Sequence, residues 1–280
     1  MPKQRYLTKS RFKLALECPR KLYYCDKKDK YANLNDENEF LQSLAEGGYQ
    51  VGELAKHYFP DGHDIRSLGH DEALAETSKL LKLDKVVIYE AAVRYQNCFI
   101  RIDILRKNGS DIDLVEVKAK SFNPETDTFT NKHGFIDSGW SAYLYDVAFQ
   151  AWVVRKAFPN WNVKPFLMLA DKSKPAIVDG LNQIFKITHD RNRIVIKTDA
   201  SRITPELIDK RNRILVQEPV DHLVDLICKG KDKREDDKDE EELKDFEVRI
   251  IEYAGYYEKD QPCPVEIGAN SILARPEGIL

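Results

Sequence analysis

The sequence has little cysteine and no long apolar run. Five cysteines are scattered along 280 residues: Cys18, Cys25, Cys98, Cys228 and Cys263. This odd and widely spaced set is unlike a secreted disulfide framework. No stretch approaches the roughly 20 apolar residues that span a bilayer, and the lysine- and arginine-rich first twenty residues have no signal-peptide apolar segment. We therefore expect a cytoplasmic protein with reduced thiols and no membrane contact.

Several catalytic motifs are also missing. The chain has no glycine-rich phosphate loop with a following lysine, no Gly-x-Ser-x-Gly elbow and no His-x-x-x-His pair. The first of these absences argues against ATP hydrolysis by this chain. The net charge of only -3 argues against a purely electrostatic nucleic-acid binder. It is compatible with an enzyme that has a local basic groove, because acidic metal ligands elsewhere in the chain would offset the positive charge of the groove.

Apolar periodicity predicts three helices in the first third of the chain and one further along it, and alternating apolar residues predict strands after the first three helices. The helices are expected over residues 12–22, 37–57, 71–81 and 141–158, and the strands over 86–94, 99–105, 112–118 and 163–169. Short turn segments separate the first three strands, which we therefore expect to form a meander. Residues 121–140 have the composition of a loop.

This order of elements predicts an α/β protein with a central mixed sheet flanked by helices. We divide the chain into an amino-terminal helical region (residues 1–84), a core (85–228), and a charged linker with a carboxy-terminal segment (229–280).

Three charged residues in the predicted meander form a candidate catalytic centre. Side chains alternate between the faces of a strand, so Glu116 and Lys118 share one face. Asp103 lies in an apolar strand, where a carboxylate is costly unless something binds it. A hairpin could bring Asp103 beside Glu116, and a divalent cation would then neutralise their repulsion. With Lys118 as an added cation near the scissile phosphate, this is a phosphodiesterase arrangement.

The spacing of these three residues is weak evidence when it stands alone. An aspartate followed by Glu-x-Lys is common in charged proteins, and a surface hairpin with ordinary charged residues would have the same pattern. The surrounding sequence has to decide between the two interpretations.

The surrounding sequence resembles the PD-(D/E)xK nucleases. Asp103 and residues 114–118, Leu-Val-Glu-Val-Lys, are similar to the two parts of that motif. Residues 145–152, Tyr-Asp-Val-Ala-Phe-Gln-Ala-Trp, look like the helix of the RecB-like branch, with Gln150 as its glutamine. That branch usually has a tyrosine four residues later, where this chain has Val154.

The resemblance extends to a family of uncharacterised bacterial proteins described as RecB-like nucleases or exonucleases. Four further segments are similar to that family and, with the core, cover most of residues 7–195: residues 7–10 (Leu-Thr-Lys-Ser), 18–23 (Cys-Pro-Arg-Lys-Leu-Tyr), 48–52 (Gly-Tyr-Gln-Val-Gly) and 169–174 (Leu-Ala-Asp-Lys-Ser-Lys).

The resemblance implies a restriction-endonuclease-like fold and Mg²⁺- or Mn²⁺-dependent hydrolysis of nucleic acid. DNA is favoured over RNA, and an exonuclease-like role in repair, recombination or defence is expected. Asp103, Glu116 and the main-chain carbonyl of Val117 would hold the ion. Lys118 would position or activate water, and Gln150 would support the substrate or metal-bound water.

Two departures from the family pattern leave alternatives open. Relatives often have a histidine upstream of the core as a further metal ligand, but the matching stretch here offers Tyr49 and Gln50. A catalytically degenerate nuclease fold that binds nucleic acid, or an interaction module within a larger assembly, would also fit this change.

The second departure concerns an iron–sulfur cluster that many relatives hold with one early and three late cysteines. Cys18 matches the early ligand, but Cys263 is the only cysteine near the carboxy terminus. A cluster needs four ligands. We therefore expect no cluster in this polypeptide, unless an additional carboxy-terminal domain or a protein partner supplies the others.

Basic and aromatic residues outside the motifs above have two interpretations each, and one further acidic residue is a candidate for the site. A basic leader could contact phosphates or form a solvated helix face: Lys9, Arg11, Lys13, Arg20 and Lys21. Four aromatic residues could stack on bases or belong to the core: Tyr23, Tyr24, Tyr31 and Trp140. Glu90 is a candidate for an acid that supports the metal ligands.

The cysteine count generates the first prediction. The purified 280-residue chain should be colourless and free of the broad visible absorption that iron–sulfur charge transfer produces. Absorption spectroscopy with iron analysis is the measurement. Brown protein with stoichiometric iron would contradict the prediction and would mean that Cys228 or Cys263 folds back to Cys18.

Overall fold

The structure, a computed structural model, describes residues 4–27, 29–31, 39–190 and 193–264. Its strands are β1 (His63–Asp64), β2 (Lys85–Tyr95), β3 (Cys98–Asn108), β4 (Asp111–Phe122), β5 (Asn162–Asp171), β6 (Phe185–Asp190), β7 (Arg193–Thr198) and β8 (Leu215–Pro219). Its α-helices are α1 (Lys9–Glu17), α2 (Lys21–Tyr24), α3 (Glu39–His57), α4 (His70–Leu80), α5 (Ser138–Ala157), α6 (Leu181–Ile184), α7 (Pro205–Ile208), α8 (Asp221–Cys228), α9 (Glu240–Leu243) and α10 (Phe246–Glu258).

Six strands form the central sheet in the order β1-β2-β3-β4-β5-β8, and β6 pairs with β7 in a separate hairpin. The neighbours β2, β3 and β4 are antiparallel, which confirms the predicted meander. The pairs β1–β2 and β4–β5 are parallel, and β8 joins β5 in the antiparallel direction. The expected α/β protein with a central mixed sheet and flanking helices is therefore confirmed at this level.

One face of the sheet is covered by α5, which in turn packs against α1 and α8. Every residue of α5 from 144 to 154 is buried. A helix that is apolar nearly all round is expected inside a core rather than on a surface. The side chains Ile112 and Leu114 of β4 point into this core.

The opposite face is covered by α3, which contacts β4, β6 and β7. Leu54 of α3 and Tyr58, which directly follows this helix, share a second core with Val115 and Val117 of β4. Successive residues of β4 thus alternate between two cores, as the alternation argument predicts. Glu116 therefore lies on the α5 face of the sheet.

The amino-terminal helical segment differs from the expectation of one helix over residues 12–22. The structure has two helices, because α1 ends at Glu17 and α2 begins at Lys21. Cys18 is extended, with φ −167°, since the ring of Pro19 disfavours the helical conformation for the residue before it. Cys18 and Cys25 are therefore not on one helix face, and Cys18 is buried.

Residues 121–140 are only partly a loop. Strand β4 runs on to Phe122, and α5 begins at Ser138, where the Asp137 side chain caps the backbone N–H of Gly139 at 2.9 Å. Between them Phe129 stacks on Phe122 with ring centroids 4.8 Å apart and packs edge-on to Trp140 at 5.0 Å. Trp140 is therefore a core residue, as the second interpretation of the aromatic residues had it.

The segment after residue 228 contributes to the same core as the sheet. Within it, Phe246 of α10 packs edge-on to Phe12 of α1 with centroids 5.9 Å apart, and Tyr253 lies 6.4 Å from the same ring. The three-part division of the chain remains a prediction, but α10 is a packed helix rather than part of a linker. In the described part of the chain, no helix is both long enough and apolar enough to cross a membrane.

The docking of α1 can be tested at Phe12, which is fully buried and stacks on Phe149 of α5 at 4.5 Å. Phe12→Ala should lower the free energy of unfolding by about 3–5 kcal/mol, because it removes a ring and leaves a cavity. Val248→Ala, at a 44% exposed position of α10, is the control and should change it by less than about 0.5 kcal/mol. Urea unfolding measures both. Equal effects would show that α1 does not pack as described.

Candidate active site

The β3–β4 hairpin places Asp103 next to Glu116. The two strands pair from the turn up to Ile104 and Val115. Beyond that point, Asp103 Oδ2 accepts a hydrogen bond of 2.8 Å from the backbone N–H of Val117. The N–H and C=O of one strand residue point toward the same neighbouring strand. The carbonyl of Val117 is therefore directed to the side of Asp103 as well.

Glu116 is the centre of the cluster. Its side chain has no exposure to solvent, and it accepts hydrogen bonds from Lys118 Nζ, from Lys9 Nζ at 3.0 Å and from Gln150 Nε2 at 2.8 Å. Burial opposes ionisation, but Lys9 and Lys118 outweigh it and hold the pKa of Glu116 well below its ordinary value. Glu116 is thus a buried carboxylate in its charged form.

Lys118 joins the hairpin to helix α5. Its ammonium contacts Glu116 and lies 3.2 Å from Asp146 Oδ2. Burial lowers the pKa of Lys118, but Glu116 and Asp146 raise it above its ordinary value. Asp146 was not among the predicted site residues. A carboxylate within the apolar stretch of residues 144–154 was the signal that could have revealed it.

Gln150 lies one turn after Asp146 on α5 and holds two carboxylates in place. Its Nε2 donates to Glu116 Oε2 at 2.8 Å and to Asp146 Oδ1 at 3.1 Å. Both amide hydrogens are thereby used. The Oε1 of Gln150 is buried and has no hydrogen-bond partner among the described residues.

Lys9 is the second residue that the predicted site lacked. Its Nζ lies 3.0 Å and 3.2 Å from the two carboxylate oxygens of Glu116 and 3.4 Å from Asp103 Oδ1. Lys9 therefore bridges the two carboxylates that the sequence assigns to a divalent cation. Burial lowers its pKa, but Asp103 and Glu116 together raise it well above the ordinary value. The only sequence signals for Lys9 were its place in the basic leader and in the Leu-Thr-Lys-Ser segment.

The residues before α1 bring Lys9 to this position. Leu7 forms a bridge to Cys98, with its backbone N–H donating to the Asn97 carbonyl at 2.8 Å and its carbonyl accepting from Phe99 at 3.0 Å. This part of β3 lies beyond its pairing with β4. The leader thus fills the free edge of β3, and α1 starts beside the carboxylates.

The cluster has more acidic than basic groups. Asp103, Glu116 and Asp146 share the two ammonium groups of Lys9 and Lys118. Burial, with Glu116 as the nearby negative charge, raises the pKa of Asp103 to about 7 and also raises that of Asp146. The excess negative charge of the cluster therefore favours the protonated forms of Asp103 and Asp146.

Glu90 lies beside this cluster on β2. It stands across from Asp103, between the paired residues Tyr89–Ile104 and Ala91–Ile102. Burial raises its pKa, against the attraction of Lys9. Glu90 thus lies within electrostatic reach of Lys9 and Glu116, and its role in supporting the metal ligands stays a prediction.

Three other residues singled out in the sequence make contacts elsewhere in the fold: Arg11, Lys21 and Gln50. Arg11 pairs with Asp26 at 2.8 Å and Lys21 with Glu17 at 2.6 Å, so much of the basic leader is occupied by internal ion pairs. In the stretch that matches the upstream histidine, Tyr49 is 51% exposed. Gln50 donates to the Phe185 carbonyl at 2.7 Å and thereby ties α3 to β6.

The donor set suits a hard divalent cation of the Mg²⁺ type. Mg²⁺ commonly uses one or two carboxylates and completes its shell with waters and substrate phosphate, and Asp103, Glu116 and the Val117 carbonyl match that requirement. Among the described residues there is no group of three or more His, Cys, Asp or Glu side chains that could hold a metal ion. The fit thus depends on two carboxylates and one main-chain carbonyl, in a cluster of three carboxylates and two ammonium groups. It also requires that the ion displace the amine of Lys9.

Searches for similar proteins add no further constraint: no protein-family model, curated protein or solved structure matches this chain.

The raised pKa of Asp103 predicts a pH effect on stability. Because its folded pKa of about 7 exceeds the ordinary value of 3.8, the folded state holds an extra proton between these values. The stability that this extra proton gives the folded state is therefore lost as pH rises from 3.8 to about 7. Asp103→Asn keeps an acceptor for the Val117 N–H and removes the titration. In EDTA, the variant should gain about 1–2 kcal/mol relative to the parent between pH 5 and pH 8.

Urea unfolding at each pH is the measurement for Asp103→Asn. A matched control is Asp113→Asn, which changes an aspartate of β4 that pairs with Arg106 away from the cluster. Parallel pH profiles for Asp103→Asn and the parent would contradict the described environment.

Proposed function

We propose that this chain is a Mg²⁺- or Mn²⁺-dependent nuclease of the RecB-like PD-(D/E)xK type. The observation that carries the proposal is the convergence of Asp103, Glu116 and Lys118 on adjacent strands, with Gln150 reaching Glu116 from α5. The mixed sheet with helices on both faces is compatible with the restriction-endonuclease-like fold. We further propose DNA as the substrate and an exonuclease-like role in repair, recombination or defence.

Asp103, Glu116 and the Val117 carbonyl would hold the ion, which when bound supplies a Lewis acid for the phosphate and an activated water. Asp103 is one-quarter exposed, while Glu116 is fully buried. The buried carboxylate would anchor the ion, and the exposed one would face the approaching substrate.

Lys118 would act as a cation rather than as a base. Glu116 and Asp146 raise its pKa, so its amine keeps the proton near neutral pH. A protonated lysine at this place stabilises the negative charge that develops on the phosphate in the transition state. Of the two roles expected for Lys118, positioning water and activating it, the contacts favour positioning and charge stabilisation.

Gln150 would serve as a positioning residue. Its two amide hydrogens are used by Glu116 and Asp146, which fixes the orientation of the buried carboxylate. Its Oε1 is buried and has no partner among the described residues, and it would accept a hydrogen bond from a water that the ion brings into the cluster. Of the two roles expected for Gln150, supporting the substrate and supporting metal-bound water, these contacts favour the second.

A partly exposed lysine and a partly exposed tyrosine next to the cluster favour nucleic acid as the substrate. Lys120 lies two residues beyond Lys118 on β4, with its Nζ 5.2 Å from the ring centre of Tyr143 and 4.6 Å from that of Trp140. Tyr143 precedes Asp146 by one turn of α5. A partly exposed lysine over aromatic rings is suited to a phosphate and an adjacent base.

The second candidate function is a nuclease fold that binds nucleic acid without cutting it. Two observations favour it: Lys9 bridges the carboxylates, and Tyr49 and Gln50 stand where relatives often have a histidine. In this case DNA would bind and Mn²⁺ would not promote cleavage. An interaction module without DNA or metal affinity is the remaining alternative.

Cleavage of end-labelled single- and double-stranded DNA, with RNA in parallel, tests the proposal. The parent should cut DNA with Mn²⁺ or Mg²⁺ and not with EDTA. Glu116→Gln should lower the rate by more than about 100-fold, because changes of groups that only support metal ligands already cost 10–100-fold. Glu76→Gln, at an exposed position of α4, is the control and should cut like the parent.

Two outcomes would overturn the proposal. Glu116→Gln protein that is folded by circular dichroism and cuts like the parent would remove the catalytic role of Glu116. DNA binding by fluorescence anisotropy without any metal-dependent cleavage would favour the binding module instead.

A further inference from the structure

Lys9 stands in the place that a metal ion would take. Its Nζ contacts both oxygens of Glu116 and one oxygen of Asp103, at 3.0, 3.2 and 3.4 Å. Lys118, the other cation, contacts Glu116 and Asp146. Of these two lysines, Lys9 is the one whose recorded contacts join the two candidate metal ligands.

An ammonium and a divalent ion cannot both hold this position. Each would use the same carboxylate oxygens, and the two positive charges would repel at close range. A metal ion that binds Asp103 and Glu116 together must therefore displace the ammonium of Lys9. Without Lys9, Lys118 would be the one cation among the described residues in contact with either of these two carboxyl groups.

The displacement requires a change of side chain and not of backbone. Leu7 is bridged to Cys98 before α1, and Phe12 stacks on Phe149 within it. These contacts fix the backbone on both sides of Lys9. Its side chain is 22% exposed and has a flexible four-carbon stem, so the amine can turn toward solvent while α1 stays in place.

We propose that Lys9 is a built-in counter-ion of the active site, which bridges Asp103 and Glu116 in the metal-free protein and is displaced when a divalent cation binds. This inference rests on the proposed metal-dependent function. It gives the site two states, one bridged by lysine and one bridged by metal. The lysine lowers the affinity for metal and keeps the two carboxylates in place without it.

Isothermal titration of the full chain with Mn²⁺ tests the inference. Lys9→Met keeps the length of the side chain and removes the competing charge, so it should bind Mn²⁺ at least roughly tenfold more tightly than the parent, a gain equal to about 1.4 kcal/mol. Lys13→Met is the matched control, because it removes one positive charge from a partly exposed position one turn further along α1. It should change the affinity by less than about threefold, since no recorded contact among the described residues joins Lys13 to Asp103 or Glu116.

The outcomes separate this inference from the proposed function. If the parent binds Mn²⁺ and Lys9→Met binds it no more tightly, or if Lys13→Met gains as much, the counter-ion role is wrong and the proposed function stands. If neither the parent nor either variant binds Mn²⁺, the metal-dependent function fails and the inference fails with it. Binding by Lys9→Met alone would support the inference.

A measurement on the parent protein covers the case in which Lys9→Met does not fold. Acetylation of lysines by an amine-reactive ester, followed by mass spectrometry, reports the accessibility of each amine. Saturating Mn²⁺ should speed the modification of Lys9 severalfold, because the displaced amine loses its carboxylate partners. An unchanged or slower modification, in a protein that titration shows to bind Mn²⁺, would overturn the inference.

Discussion

The buried carboxylate of Glu116 is the group on which the described arrangement depends. A charge without solvent exposure is costly unless it is paired and hydrogen-bonded. Here the partners come from three parts of the chain: Lys118 on the same strand, Gln150 on α5 and Lys9 at the start of α1. The last two are 34 and 107 residues away in sequence. The leader, the hairpin and the central helix must therefore all be in place before Glu116 can be buried as an anion.

Stability alone gives little reason for such a cluster. Replacing a buried ion pair by apolar residues of similar volume is often neutral or stabilising, and most buried side chains on both sides of the sheet are apolar. Strongly shifted pKa values within one small group are typical of functional sites. Here the pKa of Asp103 is raised while that of its neighbour Glu116 is lowered. Such a pair of adjacent carboxyl groups is a candidate functional site.

The parts of the fold that follow from local pattern could be predicted from the sequence. Alternation in residues 112–118 assigned Glu116 and Lys118 to one face, and the short turns gave the meander that brings Asp103 to Glu116. The strands and α5 are each a few residues longer than predicted, because their ends carry polar residues that end the periodic pattern before the backbone leaves the element.

Long-range contacts could not be predicted in this way. Lys9 has no local pattern that separates it from the other cations of the leader, and its role depends on the bridge from Leu7 to Cys98. Asp146 lies one turn from Gln150, but only packing shows that it faces Lys118 rather than solvent. The break between α1 and α2 was visible at Pro19 and was outweighed by the apolar period around it. The packing of α10 was hidden by the charged run before it.

The central claim is that Asp103 and Glu116 form a metal centre beside Lys118, and crystals soaked with Mn²⁺ test it most directly. Anomalous diffraction should give a manganese peak at coordination distance from the carboxylates of both residues, with the amine of Lys9 turned away from them. A peak elsewhere in the molecule, or no peak with Lys9 still bridging the two carboxylates at saturating Mn²⁺, would contradict the account.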